Sequence, residues 1–272
     1  MGTLPGSPLG KATVYADRYD PALLYAVERA PQRDALGIGA PLPFEGGDAW
    51  TAWEGNWLDA DGKPRVGVVR FDVPADSRAI VESKSVKLYF TALNDTRFAH
   101  ASDYTETLRR DLSAATGAPV RVQLIEPDAY AQLARAEPGG DCLDDLPLRA
   151  QHAAPARAQL ATMAGTATEA LYTRLFRSVC PVTGQPDHAT VQVAYRGPRI
   201  DRGSLFAYLV AYRRHPGFHE HCVERIFTDI AAACAPEALG VVAHFTRRGG
   251  IDISPWRRRG DIALAMAPTS VQ

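Results

Sequence analysis

Cys180 and Asp187 sit at the two ends of Cys-Pro-Val-Thr-Gly-Gln-Pro-Asp, where two prolines and a glycine turn the chain back on itself. A thiol on such a loop is open to a substrate, and its thiolate is a nucleophile. A carboxylate returned beside it can give or take the proton that the attacked group requires. The competing reading is a packing cysteine, since free cysteine is among the most buried residue types. A second cluster, His215-Pro-Gly-Phe-His-Glu-His-Cys222, holds three histidines and a cysteine. Pro216 and Gly217 break the chain, so Phe218, His219 and Glu220 fall at the opening of a helix. Helical spacing puts His219 and Cys222 on one face and leaves His221 off it, which is a poor zinc set. The alternatives are a solvated helix start or an acid–base pair of His219 and Glu220. One glutamate can also accept two N–H bonds from a guanidine-like ring edge.

Two further segments carry clustered cations. In Glu82-Ser-Lys-Ser-Val-Lys-Leu-Tyr89, a strand would set Glu82, Lys84 and Val86 on one face and Ser83, Ser85 and Lys87 on the other. Lysines and hydroxyls so placed suit phosphate groups, or else mark an edge strand protected from aggregation by charge. Thr246-Arg-Arg-Gly-Gly250 can likewise grip a phosphate or form a solvated hairpin tip, whereas the triplet Arg257 to Arg259 reads as solvated.

The elements that must position these groups repeat in order. Residues 64–71 alternate as a strand, residues 86–93 carry strand-forming types, Tyr104, Leu108 and Leu112 mark a helix, and residues 120–125 return to period two. In the second half, residues 170–176 and 189–195 read as strands, and the apolar run 205–212 is ambiguous. Apolar positions 222, 223, 226, 227 and 230 mark a helix over 219–234. Strands at 241–246 and 251–253 follow, joined through Gly249-Gly250 as a hairpin turn. Both halves run strand, strand, helix, strand. This predicts an α+β protein of two similar modules, residues 1–145 and 146–272, linked by the Ala-, Pro-, Gly- and Arg-rich stretch 132–166.

Composition narrows the function. The 272 residues carry 30 Lys+Arg against 31 Asp+Glu, a net charge of −1, with 46% hydrophobic residues. That balance argues against a field-driven nucleic-acid or membrane-surface binder. No run approaches the ~18 apolar residues of a membrane span. The first residues lack the charged and apolar regions of a secretory signal, and four widely spaced cysteines do not form a disulfide framework, so a cytoplasmic location is expected. Lys11, Lys63, Lys84 and Lys87 are the only lysines, which makes the pair at 84 and 87 conspicuous. GxGxxG, GxxxxGK[ST], GxSxG, HExxH and CxxC are all absent, so any dinucleotide is held without a Rossmann fingerprint.

Taken together and in this order, Glu82 to Tyr89, Arg97-Phe98, Cys180 to Asp187, Phe218-His-Glu-His-Cys-Val223 and Arg247-Arg-Gly-Gly-Ile-Asp252 resemble the NADPH-dependent nitrile reductases of queuosine biosynthesis. Asp48, Trp50, Glu54 and Trp57 extend the resemblance to the long, two-module form, so that it covers nearly the whole chain. His188 departs from the pattern, where an aromatic residue such as Trp is expected, and it bears on local packing. The resemblance implies a tunnelling fold (T-fold) of two tandem ββααββ modules. It implies reduction of the nitrile of 7-cyano-7-deazaguanine to the aminomethyl product at two NADPH per turnover, without a metal. Cys180 would form a covalent thioimide, Asp187 would supply a proton and His219 would be the acid–base partner. Val81, Glu82, Ser83, Phe218, His219 and Glu220 would hold the deazaguanine, and Ser83, Lys84, Arg247, Arg248 and Gly249 the NADPH. A homodimer and a protective Cys180–Cys222 disulfide are further implications. The competing readings are a zinc-dependent tunnelling-fold cyclohydrolase or pterin enzyme, and a non-catalytic binder of purine derivatives.

Overall fold

Alternation along β8 (Pro186–Ile200) shows how the sheet is covered. Val191, Val193 and Tyr195 point into an apolar core, while the intervening Thr190 and Gln192 are buried on the opposite face. There Gln192 Nε2 donates to the Gly139 carbonyl at 2.7 Å, and its Oε1 accepts from the Ala265 amide at 2.9 Å. Chain segments covering the second face explain why β9 (Ala238–Phe245) is buried at every position.

The computed structural model describes residues 18–148, 154–269 and 272. The N-terminal stretch 1–17 and positions 149–153 of the 132–166 connection lie outside the described residues. The first half contains β1 (Ala26–Glu28), α1 (Ala30–Leu36), β2 (Glu45–Leu58), β3 (Pro64–Pro74), β4 (Ala79–Val81), α2 (Ser83–Leu93), α3 (Ala101–Thr116) and β5 (Arg121–Ile125). After β6 (Asp141–Cys142), the second half runs β7 (Thr162–Val179), β8, α4 (Arg202–Val210), α5 (His219–Cys234), β9 and β10 (Ile251–Arg259). The fold is α+β, as expected. The second half has the ββααββ order; the first places β4 ahead of its two long helices and follows them with β5.

Eight strands form one sheet in the order β5-β3-β2-β10-β9-β8-β7-β6, antiparallel except for β6–β7. The seam between halves is β2 against β10, with Trp50 opposite Ile253, Thr51 opposite Asp252 and Ala52 opposite Ile251. Helices α2 and α3 pack over β2 and β5, and α5 over β9 and β10. Ile251 and Ile253 join the first half's core, where Trp50 stacks on Phe71 at 5.3 Å, whereas Ile38 and Phe44 join the second half's core. Each such aliphatic or aromatic side chain contributes about 1.5–3 kcal/mol by leaving water. Among the described residues no helix is long and apolar enough to cross a membrane.

Two expectations are corrected. Residues 83–93 form a helix, not a strand. The Glu82 carboxylate caps it, accepting from the Lys84 amide at 2.7 Å and the Ser85 amide at 2.9 Å, and Val86, Tyr89, Phe90 and Leu93 lie on its buried side. The ambiguous run 205–212 is also mostly helical, as α4 and a 3-10 turn. Arg257 is not solvated but fully buried: its guanidinium meets Asp48 at 2.9 Å and Glu224 at 2.8 Å.

Candidate active site

The β7–β8 hairpin sets the position of Cys180. Val179 pairs with Pro186 and Ser178 with Asp187; beyond them the Cys180 amide donates to the Gln185 carbonyl at 2.8 Å. Gly184, at φ 69°, closes the loop by donating to the Cys180 carbonyl at 3.0 Å. The segment before α5 then docks alongside: the Val179 amide donates to the His215 carbonyl at 3.0 Å, and the Gly217 amide donates to the Val179 carbonyl at 3.1 Å. This pairing delivers Phe218, His219 and Glu220 to the side of Cys180. A different connection supplies the third wall, where the I′-type turn at Gly249 (φ 54°) and Gly250 (φ 76°) sets Arg248, opposite Ile251 in the β9–β10 connection, into the cavity lining.

These elements enclose a cavity of about 340 Å³ where β2 and β10 meet. It is lined by Cys180, Asp187, Phe218, His219 and Glu220 from the second half, by Val81, Ser83, Lys84 and Lys87 from the first, and by Arg248. Glu82, Arg247 and Gly249 do not line it. Glu82 is buried beneath, its carboxylate turned to the start of α2. Arg247 is exposed and lies over the Trp53 indole at 5.0 Å. Gly249 packs on the Lys87 stem, its ideal Cβ position 3.2 Å from Lys87 Cδ. The helical form of 83–93 matters here, because Ser83, Lys84 and Lys87 share a helix face that a strand would have split.

His219 and Glu220, neighbours in sequence, both line the cavity. The His219 ring packs edge-on against Phe245 at 4.0 Å, and its Nε2 lies 3.8 Å from Asp187 Oδ1. Asp187 is also met by Arg248 Nη1 at 3.2 Å, so its carboxylate stands between the His219 ring and the Arg248 guanidinium. Glu220 is 2% exposed. Burial pushes its carboxyl up to about 7, aided by the like charge of Asp48 and opposed by His219 and Arg29. Burial also lowers the Lys87 ammonium against the pull of Glu82, and raises Glu82 despite its amide donors. His188 is exposed and faces away from the cavity, so its departure from the expected aromatic leaves the site lining untouched. Cys222 is buried and free, its thiol pushed up to about 12 by burial, and Cys180 is also free.

Trp50, Lys87 and Asp252, quoted in the sequence motifs but not among the residues expected to hold substrate or NADPH, also line the cavity. Trp50 and Asp252 come from the seam; Trp53 Nε1 donates to Asp252, and burial raises that carboxyl. Lys87 was visible within its motif, one turn beyond Ser83 and Lys84 on a helix. Among the described residues no group of three His, Cys, Asp or Glu side chains is placed to hold a metal ion.

The family model described as nitrile reductase, 7-cyano-7-deazaguanine-reductase N-term, matches residues 15–124, and one described as QueF-like protein matches residues 186–263. The chain is 50% identical over 256 residues to an NADPH-dependent 7-cyano-7-deazaguanine reductase of Bordetella pertussis, covering 94% of each chain. It is 48% identical to the protein of the same name in Chromobacterium violaceum, covering 94% of this chain and 93% of that one. In Burkholderia vietnamiensis the corresponding figures are 50% identity and 92% of each. A crystal structure of the archaeosine synthase QueF-Like in the apo form aligns with 37% of this chain and 99% of its own, at a TM-score of 0.32 and 19% identity.

Proposed function

This chain belongs to the NADPH-dependent 7-cyano-7-deazaguanine reductases, and from that premise we propose that its cavity reduces the nitrile of 7-cyano-7-deazaguanine to an aminomethyl group through a covalent thioimide on Cys180. The observation that carries this reading is that one cavity gathers Cys180, Asp187, His219 and Glu220 beside Lys84, Lys87 and Arg248. A nitrile carbon is a reluctant hydride acceptor, and covalent attachment splits the reduction into easier steps. The Cys180 thiol gives its proton to the Asp187 carboxylate as its sulfur adds to the nitrile carbon, so the S–H bond breaks, a C–S bond forms and the C≡N bond loses one order. The nitrogen takes a proton from Asp187, which Arg248 and His219 flank at 3.2 and 3.8 Å. His219 then exchanges protons with Asp187 and with the departing sulfur.

Glu220 and Phe218 line the wall opposite the first-half residues and suit an aromatic ring with adjacent N–H groups: the carboxylate accepts, the phenyl ring covers. Glu82 supports the facing wall, that of Ser83, Lys84 and Lys87, by fixing the first turn of α2. The three cations fit a dinucleotide bearing an extra phosphate, because Lys84, Lys87 and Arg248 come from two elements and converge on one opening. When bound, NADPH supplies hydride, two equivalents for each nitrile. Arg247, held on Trp53, lies next to that opening and extends its positive charge.

The test is to follow loss of reduced nicotinamide absorbance after adding 7-cyano-7-deazaguanine to the purified protein. Two NADPH should be consumed per nitrile, and mass spectrometry without NADPH should show an adduct on Cys180. Cys180→Ala should abolish both signals while the far-ultraviolet circular dichroism is unchanged. A fully active Cys180→Ala protein refutes the covalent route.

A further inference from the structure

Five charged side chains that do not line the cavity form a buried cluster against the helix turn that carries Glu220. Arg29 precedes α1, Arg33 lies within it, Asp48 is on β2, Glu224 on α5 and Arg257 on β10; none is more than a tenth exposed. Asp48 receives Arg29 at 2.5 Å and Arg257 at 2.9 Å. Glu224 receives Arg33 at 2.6 and 3.0 Å and Arg257 at 2.8 Å. Three guanidiniums against two carboxylates leave one positive charge over, a costly imbalance away from water. Arg29 Nη1 shows the imbalance: it is buried with no hydrogen-bond acceptor, and approaches Glu224 only to 3.7 Å. Glu220 lies one turn before Glu224 on α5, and the Arg29 charge favours its ionised form. Asp48 and burial resist that ionisation. Two opposed influences on one carboxyl thus come from groups outside the cavity.

We propose that Arg29 and Asp48 are positioning residues for the reduction: anchored by the buried cluster against the α5 turn, they act with opposite sign on the Glu220 carboxyl that lines the cavity and so govern its grip on the N–H edge of the ring. The inference rests on reading the cavity as the reductase site. Burial pushes the Glu220 carboxyl up to about 7, and charged groups face it from every element packed against it. Asp48 comes from β2, Arg29 and Arg33 from the α1 region, Arg257 from β10, and His219, His221 and Glu224 from its own helix. Across the cavity stand Lys84, Lys87, Asp187, Arg248 and Asp252. His221, its Nε2 buried and unpartnered, is held down to about 4 and is therefore neutral at the pH of interest.

Infrared difference spectroscopy on the ligand-free protein tests this independently of turnover. The protonated-carboxyl band lost in Glu220→Gln is titrated in the wild type, in Asp48→Asn and in Arg29→Gln. The expected midpoint is about 7 in the wild type. It should fall by about one pH unit or more in Asp48→Asn, where a like charge is lost, and rise in Arg29→Gln. The acid limb of kcat/KM for the nitrile should move with the same signs. A merely structural role predicts lower stability with an unmoved midpoint. A wild-type midpoint near 4.5, or variants that shift it in the same direction or not at all, overturns the proposal; the wild-type titration decides even if a variant fails to fold. Should the midpoints move as expected while the wild type leaves the nitrile unreduced, the reading of the reaction fails and the positioning of Glu220 stands.

Discussion

Arg257→Ala removes five hydrogen bonds at once: two to Glu224, one to Asp48 and two to the Gly47 and Trp256 carbonyls. Breaking a buried ion pair by deleting one partner costs about 3–5 kcal/mol. Here each carboxylate keeps one arginine, Asp48 through Arg29 and Glu224 through Arg33, so the lower figure applies, about 3 kcal/mol. For a chain of this length that lowers Tm by about 6–12 °C. Against the cost of burial, Arg257, Arg33 and Arg29 together hold the Glu224 carboxyl down at about 2. Glu224→Ala leaves three arginines facing Asp48 alone and belongs at the upper end, about 5 kcal/mol. Because the Glu224 shift is downward, its contribution is present above pH 4.5 and is lost as the pH falls towards 2, so the deficit of Arg257→Ala narrows in acid. The control is the adjacent Arg258→Ala, whose half-exposed pair with Glu45 is worth no more than about 1 kcal/mol. Urea unfolding at pH 7, followed by tryptophan fluorescence, measures all three. If Arg257→Ala lies within about 1 kcal/mol of Arg258→Ala, the buried cluster is not a stabilising unit.

Acid should weaken the fold before Glu224 titrates. His215 and His221 are held down to about 4, so the unfolded chain binds more protons and stability falls as the pH drops from 6.5 towards 4. Glu220 acts oppositely between pH 7 and 4.5, and Glu220→Gln should therefore steepen the loss, read as urea midpoints at pH 7 and pH 5. Gly250→Ala should cost about 1–3 kcal/mol and raise the KM for NADPH, since its φ is +76° and a Cβ there would sit 2.6 Å from Glu54 Cδ. Gly39→Ala, where a Cβ meets nothing within 4 Å, should be near neutral in the same thermal melts. Glu82→Ala strips the cap from α2 and should lower stability by about 1 kcal/mol in urea titrations, with loss of activity through Ser83 and Lys84.

Local signals in the chain were enough for several parts of this protein. The 222, 223, 226, 227, 230 spacing specified α5 to its ends, Gly249-Gly250 specified the turn into β10, and the Pro-Gly-Pro loop returned Asp187 towards Cys180. Each depends on interactions within a few residues, where periodicity and turn chemistry act. The α2 signal was also local but read by the wrong rule: strand-prone residue types at 86–93 outweighed the helical spacing of Val86, Tyr89, Phe90 and Leu93. Three matters were beyond any local reading. Strand β2 meets β10 across some 200 residues, so the walls carrying Trp50 and Asp252 exist only once both halves close. Arg257 looks like a solvated triplet member until Asp48 and Glu224 arrive from distant elements to neutralise it. The proton affinity of Glu220 is decided by Asp48 and Arg29, remote in sequence, because electrostatic energy follows distance and dielectric, and both are properties of the folded arrangement.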